Sequence, residues 1–504
     1  MAGMVNTHGG PSEALPGAGR ALALLFIINL FNYIDRQVLS AVLPRLQLDA
    51  NLFDPADPWL QSKLGFLTSV FLVSYTLLSP VFGWFGNRGR RWWVVGIGVL
   101  VWSLASGGSG LATGYVMLLL TRCAVGIGEA AYGPVAPSML SDLYPVSQRG
   151  KVMALFYLAI PVGSALGFVI GGQIGEHFGW RTAFLVTFIG WFLGWQCFFM
   201  PEPPQPNRVD ETPPSYLRVL AELKTIRSFV IGCLGMTCTT FVLGGVAAWA
   251  PTYIFQREAR FAVTDKTFET LAEERTSDDR PVVPDEVVAK LRPLTGMPQV
   301  SFAEFKQKLR DTLPEDRQRA GDDFKQYGDR IFTAATTPDS ISLGTVNLIF
   351  GVIVVVSGLG ATLLGGWFGE YLLGRGIRGA YFHAAGWSTM LAFPFLVGAL
   401  LVPFPVAWGL LFAAVFFLFF NTGPANTLLA NVMRSDIRAT GYAINILVIH
   451  MLGDVISPPI IGFVADVASL QTAFLGTSVF ILIGGTLWVF GASSLDADTA
   501  KAGS

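Results

Sequence analysis

The sequence predicts an all-α membrane protein: twelve transmembrane helices in two six-helix bundles, with a polar insert between helices seven and eight. Three observations carry this. The 504-residue chain is 52% hydrophobic and only 14% charged, with a mean hydropathy of +0.52, whereas soluble domains carry roughly 25% charged residues. The charge is concentrated, because 31 of the 69 Lys, Arg, Asp and Glu residues fall between Arg257 and Ser340. Short strings also recur in the two halves at nearly constant spacing.

A helix that crosses a bilayer needs roughly 20 predominantly apolar residues. Runs of that kind lie at 21–45, 63–86, 92–112, 115–140, 150–175 and 182–200, and again at 228–256, 343–368, 380–402, 406–432, 438–466 and 471–493. The third and fourth are parted only by a tight Gly-rich turn. Residues 1–19, rich in Gly, Pro and Ala, are expected to be disordered and carry no cleavable-signal pattern. The first bundle then occupies 20–201, a linker 202–227, the second bundle 228–494 with the insert at 257–340, and a tail 495–504.

Lys and Arg in short loops set the orientation. Arg88, Arg90 and Arg91 follow span two, Arg149 and Lys151 follow span four, and Arg208, Arg218, Lys224 and Arg227 lie in the linker. Arg375 and Arg378 follow span eight, and Arg434 and Arg438 follow span ten, whereas Lys63 and Arg181 stand almost alone in the opposite loops. Both termini are therefore expected in the cytoplasm and the insert outside. Pro201-Glu202-Pro203-Pro204 stops span six. After it, Tyr216, Leu217, Leu220 and Leu223 oppose Arg218, Glu222 and Lys224, the pattern of a helix lying on the cytoplasmic face. The insert mixes helical patterns, as over 302–313, with prolines and dense charge, and reads as a small cap or a partly disordered loop.

The repeat makes the two halves homologous. Gly83-Trp84-Phe85-Gly86 matches Gly366-Trp367-Phe368-Gly369 at an offset of 283, and Arg149 and Ala154 match Arg438 and Ala443 at 289. Gly163, Gly172 and Thr182-Ala183-Phe184-Leu185 match Gly453, Gly462 and Thr472-Ala473-Phe474-Leu475 at 290. Two like-oriented halves create a pseudo-two-fold axis along the membrane normal, with a substrate site between them near the midplane. Glycines at these spacings also serve helix packing; the tetrapeptides are what argue for duplication.

An ionisable side chain inside hydrocarbon costs about 2.5 kcal/mol or more and calls for a reason. The first half has four: Asp35 and Arg36 in span one, Arg122 and Glu129 in span four. Arg122 and Glu129 are two helical turns apart and share a face, so Asp35 or Glu129 could pair with Arg122 or Arg36. A buried carboxylate beside a mobile cation is a proton switch, charged when the arginine is near and neutral when desolvated without it. The alternative is a permanent ion pair that fixes helix register. Span eleven carries His450 and Asp454, four apart on one face, a titratable pair or a structural one. Span ten offers Asn421, Thr422, Asn426 and Thr427 for binding a neutral polar group. The charge asymmetry suggests coupling in the first half and substrate discrimination in the second.

Other classes find little support. A net charge of −1 with no long basic run argues against nucleic acid. Cys123, Cys197, Cys233 and Cys238 lie in apolar segments without metal spacing and read as packing residues. There is no phosphate loop, His-Glu-x-x-His or Gly-x-Ser-x-Gly, so neither an enzyme nor a cofactor is expected. A channel or membrane scaffold remains the alternative of another class.

The string from Gly83 through Asn87 and Arg88 to Arg91 resembles the loop motif that follows span two in the major facilitator superfamily, with Asn87 where that family has Asp. The Asp anchors a cytoplasmic gate, so the resemblance implies a weaker latch here. Arg122 through Glu129 resembles the span-four motif, and Asp142 through Pro145, Arg149-Gly150, the glycines 163–172 and Gly179-Trp180-Arg181 fit the fourth loop and fifth span. More narrowly, Asn32-Tyr33-x-Asp35-Arg36, Arg122 through Glu129 and His450-Met451-Leu452-Gly453-Asp454-x-x-Ser457-Pro458 resemble the Spinster family. That resemblance implies proton-coupled transport of amphipathic lipids such as lysophospholipids or sphingosine phosphates, with Asp35 and Glu129 protonatable and Arg122 their partner. Small organic anions held by Arg36 or Arg122 are the runner-up. The expected partners are protons, a small amphipathic substrate and membrane lipids, for a monomer in a bacterial inner membrane.

Overall fold

The computed structural model describes residues 14–49, 51–54, 57–203, 216–275, 281–313, 323–434 and 437–503. Among them, eleven helices are long and apolar enough to cross a membrane. The first half contains spans Ala18–Leu46, Leu60–Gly86, Arg91–Gly110, Tyr115–Leu143 and Lys151–His177; the second contains Arg227–Glu258, Leu343–Gly374, Ala380–Leu401, Val406–Val432, Thr440–Val467 and Leu470–Ala502. The expected sixth span is present in two pieces, Trp180–Thr187 and Gly190–Cys197. Gly190 restarts it where it meets span three: a Cβ there would lie 2.5 Å from Ser103 Oγ. The expected disorder over residues 1–13 and most of the linker lie outside the described residues.

The duplicated glycines explain how the halves are built and joined. Gly163 of span five abuts span one, where a Cβ would lie 2.7 Å from Leu30 O. Its counterpart Gly453 of span eleven abuts span seven, 3.0 Å from Thr240 Cβ. Further on, a Cβ on Gly172 of span five would lie 2.5 Å from Asn347 Cβ of span eight, and one on Gly462 of span eleven 2.3 Å from Gln61 O of span two. Small residues permit this approach because lipid gives no hydrophobic drive between helices and close packing must supply it. Each glycine pair thus does one job twice, within its half and then between halves.

The halves meet on the side of the insert. Asp466 accepts from Gln61 N at 2.8 Å and Ser62 N at 2.7 Å, while Glu176 Oε2 accepts from Gly344 N at 2.6 Å. Asn347 Nδ2 donates to Ala41 O at 3.2 Å, and Gln256 Nε2 to Gln47 Oε1 at 3.3 Å. Trp59 stacks on Phe463 at 5.7 Å, and Phe168 meets Phe350 edge-on at 4.9 Å. One apolar cluster crosses both halves here and runs into the insert. Toward the termini the core divides: one cluster holds Leu24, Trp92, Tyr132 and Phe156 of the first half, another Leu223, Phe229, Leu428 and Trp488 of the second. The body is closed at the insert side and parted at the side of the termini.

The insert is a folded cap. Strand β1 (Arg260–Phe261) pairs antiparallel with β2 (Val300–Ser301), flanked by helices Asp265–Glu273, Asp285–Leu291, Phe302–Thr312 and Asp323–Ala335. Ser301 caps the third helix by accepting from Glu304 N, as a Ser-x-x-Glu sequence favours. Its centre is aromatic: Phe261 stacks on Phe305 at 5.2 Å and meets Phe332 at 5.3 Å, continuous with Phe255 of span seven. The cap also reaches the first half, where buried Arg45 donates to Thr333 Oγ1 at 2.7 Å and Asp329 Oδ1 at 3.2 Å.

The linker helix, Tyr216–Leu223, packs onto the second half, with Val219 and Leu223 fully buried beside Met433 and Ile437. Val219 thus joins Leu223 in place of part of the expected apolar side; the Tyr216 and Leu217 side chains lie outside the described residues.

Candidate functional site

Adjacent residues on a helix point about 100° apart, so Asp35 and Arg36 face different neighbours. Asp35, fully buried, looks across the bundle to span four, where Arg122 Nη2 donates to Asp35 Oδ2 at 3.1 Å. Arg36 turns toward span two and the far end of the same span-four face, where its Nε donates to Glu129 Oε2 at 2.8 Å and its Nη2 lies 2.7 Å from the same oxygen. The sequence left the pairing open; the structure makes it Asp35–Arg122 and Arg36–Glu129. The seven-position step from Arg122 to Glu129 separates the two pairs by about 10 Å along the helix.

The two pairs differ in surroundings. The Arg122 side chain is 2% exposed and lies over the Phe184 ring at 5.3 Å. Ser106 of span three donates to Asp35 Oδ1, and Thr187 of span six stands 2.7 Å from Ser106 Oγ. Arg36 is 14% exposed and ringed by Tyr33 at 4.8 Å, Tyr75 at 5.2 Å and Phe71 at 5.5 Å. A guanidinium over aromatic faces is held by their quadrupoles while its edge stays free for an anion. Glu129 Oε1 and Arg122 Nε, both buried, have no hydrogen-bond partner among the described residues.

In the second half, His450 Nδ1 lies 2.9 Å from Asp454 Oδ2 and 3.0 Å from Oδ1. The pair brackets a single π-helical turn, His450–Asp454, that interrupts span eleven ahead of Ser457-Pro458. Such turns arise where an extra residue is accommodated, frequently at functional positions. Here it faces span seven, since a Cβ on Gly244 would lie 2.4 Å from Asp454 Cβ. The amides of Asn421 and Asn426 in span ten donate to their own helix backbone. Asn421, buried, donates to Leu418 O, and Asn426, exposed, donates to Thr422 O at 2.8 Å.

The loop after span two ties the first half to itself. Arg91 pairs with Asp142 at the end of span four, and its backbone N–H donates to Glu202 Oε1 at 2.6 Å. A Cβ on Gly83 would lie 3.8 Å from Pro134 of span four. The side chains of Asn87 and Arg88 lie outside the described residues.

Comparison with known proteins places this geometry. The family model described as Major Facilitator Superfamily matches residues 25–269. Protein spinster homolog 1 of Homo sapiens is 34% identical over 246 residues, 47% of this chain and 45% of the relative. Protein spinster homolog 3 of Danio rerio is 28% identical over 456 residues, 88% of this chain and 76% of the relative. A crystal structure of a bacterial homolog to the human lysosomal transporter Spinster, inward-facing and unoccupied, superposes with a TM-score of 0.69 at 17% identity, covering 96% of this chain and 98% of that one. The chain is similar to the Major Facilitator Superfamily over its first half and to Spinster proteins across most of its length, and it shares the fold of the bacterial Spinster homolog.

The match to the human Spinster relative spans about half of that protein's length. The Danio rerio match extends the likeness across both halves, in keeping with the strings that resemble Spinster proteins in spans one, four and eleven. Two residues of this site went unread in the sequence, Ser106 and Thr187. Ser103, Ser106 and Ser109 recur every third residue in span three, one polar stripe in an apolar helix, and that was the available signal.

Proposed function

We propose that the chain is a proton-coupled secondary transporter that works by alternating access and carries an amphipathic lipid of the lysophospholipid or sphingolipid class. The observation that carries the reading is the one-sided closure of the halves around two buried ion pairs. A carrier rocks its halves about a central site, and halves joined on one side only are one end state of that motion. By the distribution of Lys and Arg, the parted side faces the cytoplasm of an inner membrane.

Within that cycle the pairs are the coupling element. Glu129 is neutralised by Arg36, the one arginine of the four charged residues with an exposed edge. An anionic group on a passenger competes with Glu129 for that edge, and a carboxylate that loses its cation in a desolvated site takes up a proton. Substrate charge and proton are then exchanged at one arginine. The aromatic ring around Arg36 suits a charged head beside an apolar chain. The same arginine favours the second reading, a small organic anion with a carboxylate.

Uptake into proteoliposomes of a panel of lysophospholipids, sphingosine phosphates and small carboxylates, with and without a pH gradient, tests both. Saturable, gradient-driven uptake of a lysolipid is the expected result. Uptake of carboxylates alone selects the second reading, and failure of all under any gradient returns the channel or scaffold.

A further inference from the structure

Asp35 sits in a part of the bundle where a carboxyl group has to be satisfied by fixed partners, because its side chain is 1% exposed. An ionised carboxylate only accepts hydrogen bonds, whereas a protonated one must also donate. A buried group that changes protonation therefore needs a neighbour that can turn from donor to acceptor, or one form is left with an unpaired buried polar atom and is disfavoured. Arginine cannot do this, being a donor only. A hydroxyl can.

Ser106 Oγ donates to Asp35 Oδ1 and lies 2.7 Å from Thr187 Oγ1, where either hydroxyl can be the donor. Thr187 Oγ1 in turn lies 2.7 Å from Phe184 O, a backbone acceptor that closes the chain. With Asp35 ionised, Thr187 donates to Ser106 and Ser106 to Asp35. With a proton on Oδ1, Asp35 donates to Ser106, Ser106 to Thr187, and Thr187 to Phe184 O. Asp35, Ser106 and Thr187 each keep a partner in both states, with Phe184 O taking the Thr187 hydrogen only when Asp35 is neutral; no heavy atom moves, and only the two hydroxyl hydrogens rotate. The proton itself forms one O–H bond on Asp35 and breaks none in the relay.

We propose that Ser106 and Thr187 are positioning residues for Asp35, a two-hydroxyl relay that reverses direction when Asp35 takes up a proton. The inference rests on the proton-coupling reading and names Asp35 as the carboxyl built to be buried in both forms; Glu129, with one oxygen unpartnered, has no such neighbour. The charged groups facing Asp35 are Arg122 and, further along span four, Glu129. Spans three, five, six and seven, which pack around this part of span one, carry Lys, Arg, Asp, Glu and His only near their ends.

The test is an infrared pH titration of the full chain in lipid, following the carboxylic-acid C=O band that Asp35→Asn removes. Ser106→Ala takes a donor from the ionised form, and hydrogen bonds to charged groups are the stronger ones, so the midpoint moves up by about one pH unit, a tenfold change in proton affinity. Thr187→Val keeps that donor but leaves the Ser106 hydroxyl without an acceptor when Asp35 is neutral, so the midpoint moves down. Thr187→Ser keeps the hydroxyl and the wild-type midpoint, which shows that the fold is intact. Opposite shifts are the expected outcome, since loss of packing would move both the same way. Equal or absent shifts in a titrating Asp35 overturn the relay alone. No band lost in Asp35→Asn, while transport stays pH-dependent, overturns the relay by excluding Asp35; loss of pH dependence altogether overturns the coupling reading with it.

Discussion

The carboxylate of Asp466, at the end of span eleven, caps span two of the opposite half: it accepts from Ser62 N at 2.7 Å, Ser62 Oγ at 2.6 Å and Gln61 N at 2.8 Å. Span two has no side-chain cap of its own at Trp59, so the other half supplies it. Glu176 accepts from Gly344 N of span eight, a bond added to that helix's own cap, Ser342, which accepts from Thr345 N. The carboxylates are 290 residues apart and the amides they meet, on Gln61 and Gly344, are 283 apart, the two spacings of the sequence repeat. The closed side is therefore held by a symmetric pair of carboxylate caps, each favoured by the positive end of a helix dipole.

Asp466→Asn and Glu176→Gln should each weaken that closure. Loss of a charged cap costs about 1 kcal/mol, roughly a fivefold shift toward the state open at the insert side. Spin-label distances between the insert-side ends of spans two and eleven, measured in lipid, should gain a longer component, larger in the double variant. Unchanged distance distributions in both variants would remove the caps from the gate.

Gly172 and Gly462 should resist enlargement for the same reason. At Gly462 a side chain meets backbone, Gln61 O at 2.3 Å, whereas at Gly172 it meets the Asn347 side chain at 2.5 Å. Gly462→Val should prevent insert-side closure and lose transport, and Gly172→Ala should be milder only because it adds a single carbon, since Asn347 Cβ moves only with its backbone. Thiol accessibility of cysteines placed near residues 61 and 347 reads this directly; a fully closed Gly462→Val protein would refute it.

The two ion pairs should respond differently to neutralisation. Asp35→Asn leaves Arg122 buried and unpaired, a change that costs about 3–5 kcal/mol, so thermal unfolding should drop clearly. Glu129→Gln leaves Arg36 partly exposed and ringed by three aromatic faces, and the protein should fold and bind ligand while losing proton-dependent transport. Wild-type rates and pH dependence in Glu129→Gln would sink its role in coupling.

The pairing itself can be tested by double-mutant cycles on thermal stability. Asp35→Asn with Arg122→Gln should recover much of the loss of either change alone, whereas Asp35→Asn with Arg36→Gln should be close to additive. The reverse pattern would mean that the arginines exchange partners in the membrane.

Lys306, half-buried in the cap helix Phe302–Thr312, has its ammonium pushed down from 10.5 to about 8, by burial first and by Arg310 one turn away second. The folded cap holds fewer protons than the unfolded chain between those values, so its stability rises with pH from about 8 to 10.5 and is lowest below 8. Amine-labelling of Lys306 followed by mass spectrometry should titrate near 8, and Lys306→Met should make the cap more resistant to proteolysis at neutral pH. A midpoint near 10.5 would contradict the burial.

Much of the architecture was legible because lipid imposes simple rules. Spanning length, Lys and Arg in the loops and the repeated strings can be read one residue at a time. The sixth span was readable as apolar but not as broken, since the turn at Phe188–Ile189 depends on packing against span three. Asn421 and Asn426 looked like binding groups, yet both amides donate to their own helix backbone, a choice that residue type leaves open.

The sequence by itself determined twelve apolar segments, their duplication and the presence of four charges in the first half, because each follows from local composition and spacing. Only the tertiary structure decided that Asp35 takes Arg122 and Arg36 takes Glu129, that Ser106 and Thr187 back Asp35, and that Asp466 and Glu176 hold one side shut. Those are contacts between residues 71 to 405 positions apart, set by how helices rotate and cross, and rotation is fixed by packing that no single segment contains.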